Sequence, residues 1–126
     1  RRDETNAQLW WAFEPERLSP GAREALAEPA HVVVISVASM WEITIKSRLG
    51  KLTLPVPLAV LVERHRQESG VRFLPIVEAH VHAHETLAGV HRDPFDRMLV
   101  AQAAAEGMVI VTRDPLIQQY DVPTLW

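Results

Sequence analysis

The run His31-Val32-Val33-Val34-Ile35 is short, continuous and mostly β-branched, and Met108-Val109-Ile110-Val111 repeats its character further along the chain. Side chains of this type favour pleated backbone. An apolar run without polar alternation suits a strand covered on both faces, which is the condition of strands in parallel sheets. Parallel strands need crossovers, and the usual crossover is a helix. Helical patterns do stand between these runs. Ser19-Pro20 places an N-cap before a proline suited to a first helical position, which predicts a helix over residues 21–27. Ser36 ends the first strand and caps a helix over 37–49, which Gly50 closes. Further helices are expected over 58–68, over 78–88 with Gly89 as the stop, and over 94–106 ending at Gly107. Weaker strands are expected at Val71-Arg72-Phe73-Leu74 and Pro123-Thr124-Leu125-Trp126. This alternation predicts an α/β fold with a mainly parallel sheet.

The N-terminal stretch fits that scheme less well. A helix is expected around Leu9-Trp10-Trp11, with a strand before it, yet only the polar Arg1-Arg2-Asp3 opens the chain. Either the sheet accepts a stub there, or the first strand lies outside the sequence as it begins.

A chain of 126 residues suffices for one domain, expected to run over 1–126. The absence of cysteine excludes disulfides, zinc-thiolate sites and thiol nucleophiles. No apolar stretch approaches the ~18 residues of a membrane span, and no signal-peptide pattern is present, so a cytoplasmic location is expected. A net charge of -3 argues against coating nucleic acid by charge alone, but not against binding it through cations and a local basic patch.

In an open parallel sheet, functional groups gather beyond the carboxyl ends of the strands. Asp114 follows the second β-branched run, Glu42 lies about two turns into the helix after the first, and Asp93 and Asp96 begin the helix over 94–106. Carboxylates brought together repel one another, and a divalent cation offsets that repulsion directly. Spacing alone also allows a simpler account. Acids suit the first turn of any helix, and an acid after a strand is often a turn residue.

The surrounding blocks tip the balance. Ser36-Val37-Ala38-Ser39-Met40-Trp41-Glu42-Ile43, followed by Arg48-Leu49-Gly50-Lys51-Leu52, resembles the PIN-domain family and within it the VapC-type toxins of bacterial toxin–antitoxin pairs. The blocks His91-Arg92-Asp93-Pro94-Phe95-Asp96-Arg97, Val111-Thr112-Arg113-Asp114 and Val122-Pro123-Thr124-Leu125-Trp126 agree, in order, over essentially the whole chain. The resemblance implies a three-layer α/β/α fold around about five parallel strands. It also implies a ribonuclease dependent on Mg²⁺ or Mn²⁺ that hydrolyses RNA phosphodiester bonds, forms a homodimer and is neutralised by a cognate antitoxin. Carried over by position, Glu42, Asp96 and Asp114 are the second, third and fourth family acids, with Glu4, Asp96 and Asp114 as metal ligands. Glu4-Thr5-Asn6 falls on the first motif, where the family usually has aspartate before threonine. The longer glutamate displaces its carboxylate, which leaves open a second reading: a catalytically weakened binding protein of the same fold that holds an antitoxin.

Thr5, Asn6, Asp93 and Thr112 are candidate supporting residues, and Arg97 and Arg113 are candidate phosphate contacts. Lys46, Arg48 and Lys51 suit a solvated helix end, with phosphate contact as the second use. His80, His82 and His84 are expected on a surface helix, since no third ligand completes a metal site. Trp41 is expected in the core, and one of Trp10 and Trp11 at a partner surface. A phospho-acceptor domain would need a lysine after a late strand, and none is present.

Overall fold

The computed structural model describes residues 8–11, as backbone, together with 19–87 and 93–126. Its elements are β1 (Gln8–Trp11), α1 (Pro20–Ala27), β2 (Val32–Ser36), α2 (Val37–Arg48), α3 (Leu58–Ser69), β3 (Arg72–Leu74), α4 (Glu78–Thr86), α5 (Pro94–Glu106), β4 (Val109–Val111), α6 (Pro115–Gln118) and β5 (Thr124–Leu125). The five strands form one sheet in the order β3-β2-β1-β4-β5, and every pairing is parallel.

The caps follow from local sequence. Ser19 accepts from the backbone of Ala22 at the start of α1, and Ser36 accepts from Ala38 at the start of α2. Gly70 and Gly107 end α3 and α5 with φ of 65° and 69°, a left-handed conformation that glycine adopts without a Cβ clash. The helix expected over 78–88 is shorter, ending at Thr86, and Gly89 lies outside the described residues. The short helix α6 follows β4, capped by Asp114.

The expectation of a helix around Leu9-Trp10-Trp11 is corrected: these residues form the middle strand. Leu9 pairs with Val33 on one side and with Val109 on the other. The strand between β2 and β4 must satisfy backbone donors and acceptors on both edges. A strand in that position also lies in a sheet covered on both faces, which an apolar and aromatic run suits better than polar Arg1-Arg2-Asp3.

β2 and β4 divide their side chains between two cores. Val34 and Ile110 join Leu99, Val100 and Ala103 of α5 and Ile117 of α6 on one face. Val33, Ile35 and Val111 join Ala22 of α1 and Val71 on the other, with Phe73 and Leu125 packed against them. Full burial of Ile35 and Ile110 contributes about 1.5–3 kcal/mol each. Helices thus lie over both faces, as continuous β-branched strands require. Among the described residues no helix is long and apolar enough to cross a membrane.

Sheet order places the switch between β1 and β4, and the helix directions bring three segments to its carboxyl edge. α2 leaves from the end of β2, α6 leaves after the end of β4, and α5 starts there because it runs back to feed β4.

Candidate active site

Residues from these segments line one cleft of about 660 Å³. Its carboxylates are Glu42 from α2, Asp93 and Asp96 from the start of α5, and Asp114 from the start of α6. Lys46, Lys51 and Arg113 bring positive charge to the same walls, while Leu52, Leu54, Pro55, Leu58 and Leu61 form an apolar side. Chain separation between Glu42 and Asp114 is large, so only the fold brings them together.

Each acid also has a local role. Asp93 caps α5, its Oδ1 accepting from the amides of Phe95 at 2.8 Å and Asp96 at 3.2 Å. Asp114 caps α6, its Oδ1 accepting from Leu116 at 2.9 Å. Asp96 stands half-buried in the first turn of α5, where the helix dipole favours an anion. Glu42 forms an ion pair with Lys46 one turn on, at 3.3 Å. That pair holds the carboxylate against a neighbouring cation inside the cleft.

Thr112 is fully buried, and its Oγ1 accepts from the amide of Asp114 at 3.1 Å. It shapes the turn that delivers Asp114. Arg113 is exposed on the cleft wall. Arg97 has other partners: its guanidinium donates to the Leu87 carbonyl at 2.9 Å and to the Tyr120 hydroxyl at 3.3 Å, and it does not line the cleft. Glu4, Thr5 and Asn6 lie outside the described residues, and in chain order they precede β1.

His80 is not on the surface. It is fully buried; Nδ1 accepts from the Val77 amide at 3.1 Å, so Nε2 carries the proton toward Glu106 at 2.8 Å. α4 packs closely on α5, and a polar ring at that seam must be satisfied internally. His82 is exposed beside Glu78 at 3.1 Å, while His91 lies outside the described residues. Trp41 is likewise corrected: it is 60% exposed, with its ring edge-on to Phe95 at 5.1 Å. Its position beside Glu42 on α2 turns it away from the sheet.

The sequence reading missed Ser39 and the apolar wall over residues 52–61. Ser39 stands one turn before Glu42, and that i, i+3 spacing is the signal that would have placed it on the same face.

The donor chemistry of the cleft fits a hard divalent cation, since every ligating group in it apart from His65 offers oxygen. Among the described residues no three of His, Asp and Glu gather closely enough to hold a metal ion by themselves. The described acids are therefore suited in kind, with Glu42 engaged by Lys46.

A model of the PIN domain family matches residues 4–123. Ribonuclease VapC22 of Mycobacterium tuberculosis (strain ATCC 25618 / H37Rv) is 28% identical over 127 residues, covering 98% of this chain and 95% of that protein. Among solved structures, VapBC2 from Rickettsia felis bound to a DNA fragment from its promoter is similar, with a TM-score of 0.67 at 11% identity over 94% of this chain and 97% of that one. FitAcB from Neisseria gonorrhoeae gives a TM-score of 0.59 at 22% identity, over 94% and 96% of the two chains. At these identities the solved structures speak to the fold alone.

Proposed function

The chain belongs to the PIN domain family, and from that premise we propose that it is a Mg²⁺- or Mn²⁺-dependent endoribonuclease acting as the toxin of a toxin–antitoxin pair. The observation that carries this reading is the convergence of Glu42, Asp96 and Asp114, from three separate elements, on one cleft at the carboxyl edge of the sheet. The similarity to Ribonuclease VapC22 supports RNA as the substrate.

In this reading Asp96 and Asp114 hold the cation and Glu42 completes the site; Glu4 matches the family's first acid by sequence position but comes before β1 in the chain, and is given no place in the cleft. Such a cation, when bound, supplies Lewis acidity at the phosphate and acidifies water at neutral pH. The protein's own residues do the rest. The caps made by Asp93 and the turn made by Thr112 fix where Asp96 and Asp114 point. Lys46, Lys51 and Arg113 attract the phosphate backbone, and Lys46 is displaced from Glu42 when that carboxylate is needed. The apolar wall over 52–61 narrows the cleft and excludes bulk water.

A cognate antitoxin belongs to the same proposal. Val37 and Trp41 on α2 and Leu49 at its C-cap are 38%, 60% and 64% exposed, an apolar face beside the cleft suited to a protein partner. Cleavage of single-stranded RNA in Mg²⁺ or Mn²⁺, lost in EDTA and in Asp96→Asn, is the test. Metal-independent cleavage would sink the reading.

The Glu42–Lys46 ion pair also favours a second reading, a binding protein of the same fold that holds an antitoxin without cutting RNA. Tight antitoxin binding with no cleavage at any metal concentration would select it.

A further inference from the structure

Ser39 lies on α2 with 3% of its surface exposed, and its Oγ has no hydrogen-bond partner among the described residues. Buried hydroxyls are nearly always bonded, and one left unsatisfied costs about 1–3 kcal/mol. A helical serine ordinarily turns to a carbonyl one turn back, and Ser39 does not. Ser36, three residues earlier and also buried, shows what full satisfaction looks like. Its Oγ donates to Gln102 Oε1 at 2.6 Å and accepts from the Ala38 amide at 2.9 Å.

The two serines differ in what they face. Ser39 lines the cleft with Glu42, Asp93, Asp96 and Asp114. It precedes Glu42 by three residues, so both side chains share one face of the helix. A group with so little exposed surface admits a contact the size of a water and not a phosphodiester, for which the cationic side chains of the cleft are better placed. A hydroxyl both donates and accepts, which matches the waters that a hard divalent cation retains.

We propose that Ser39 is a positioning residue of the cation site, its buried hydroxyl hydrogen-bonding the hydration shell of a divalent cation held by the cleft acids. The inference rests on the nuclease reading above. It explains why this helix keeps a polar atom that its own packing leaves unpartnered. Removing that atom relieves the empty protein and weakens the loaded one, so stability and metal binding move in opposite directions.

The experiment is Mn²⁺ titration by calorimetry on the full chain without RNA, paired with thermal melting in EDTA. It uses the unsubstituted protein, Ser39→Ala, Asp96→Asn and Ser47→Ala, the last giving the helix-propensity gain of alanine outside the cleft. Ser39→Ala is expected to bind Mn²⁺ about tenfold more weakly, the loss of one charge-assisted hydrogen bond. In EDTA it is expected to melt higher than both the unsubstituted protein and Ser47→Ala. Unchanged Mn²⁺ affinity in Ser39→Ala, with binding lost in Asp96→Asn, overturns the role of Ser39 and leaves the nuclease reading standing. Unchanged affinity in Asp96→Asn overturns both. A lower melting temperature for Ser39→Ala in EDTA shows a structural partner for Oγ, and it too overturns the inference.

Discussion

Ser36 Oγ donates a 2.6 Å hydrogen bond to Oε1 of Gln102, joining positions 66 apart in the chain. The bond ties the junction of β2 and α2 to the middle of α5, and so links the elements that carry Glu42 and Asp96. Gln102 extends it, its Nε2 donating to His80 Nδ1 at 3.2 Å and to the Pro75 carbonyl at 3.4 Å. Ser36, Gln102 and His80 are each fully buried, which makes the amide a polar hub inside an otherwise apolar helix face.

Replacing that hub removes several buried hydrogen bonds at once. Gln102→Leu keeps the volume roughly constant, yet leaves the buried Ser36 O–H without an acceptor and removes one of the two donors to His80 Nδ1. A loss of about 2–4 kcal/mol is expected, since each buried group left unsatisfied costs about 1–3 kcal/mol. Urea denaturation measures it directly. A change below about 0.5 kcal/mol, the range of ordinary surface substitutions, would show that the network contributes nothing.

Asp114 combines a cap with a proposed chemical role, and two substitutions separate them. Asn is as good an N-cap as Asp, so Asp114→Asn is expected to melt close to the unsubstituted protein while losing RNA cleavage. Asp114→Ala loses both, with a stability cost of about 0.5–2 kcal/mol. Retained cleavage in a well-folded Asp114→Asn would remove Asp114 from the active site.

Lys46 and Lys51 line the cleft, and their contribution is read from salt dependence. For a single strand the slope of log K against log[salt] is about −0.7 per phosphate neutralised. Lys46→Gln combined with Lys51→Gln is therefore expected to flatten that slope by about 1.4. The weakening should be similar across RNA sequences, because phosphate contacts carry no base information. Binding is best followed by anisotropy on the Asp96→Asn background, where the RNA stays intact.

The carboxyl of Glu63 on α3 is held below its ordinary value, first by the Gln67 side chain at 2.9 Å and then by Arg66 at 3.1 Å. A depressed folded-state pKa adds stability above the unfolded value and loses it as pH falls through the folded one. The group is exposed to solvent, so the readout is its own titration and not the melting temperature. Gln67→Leu is expected to move the NMR midpoint of Glu63 upward. An unmoved midpoint would assign the depression to Arg66.

What the sequence determined by itself is what neighbouring residues decide. β2 and β4 were legible because a strand covered on both faces needs an uninterrupted β-branched run. Ser19, Ser36 and Gly107 marked helix ends because capping joins groups only a few residues apart. Glu42, Asp96 and Asp114 stood out through the blocks around them, and all three line the cleft. The tertiary structure decided which surfaces those elements present to one another. Leu9-Trp10-Trp11 suits a helix or a strand, and pairing with both β2 and β4 settled it. His80 looked like a surface histidine until α4 packed on α5, and Trp41 looked like core until α2 turned it outward. The same holds for the feature that now matters most at the site. Local sequence marked Ser36 as a cap, but not that its hydroxyl meets a glutamine 66 positions away while that of Ser39 is left facing the acids. Local preference is written over a few residues, whereas burial and its consequences are set by contacts across the whole chain.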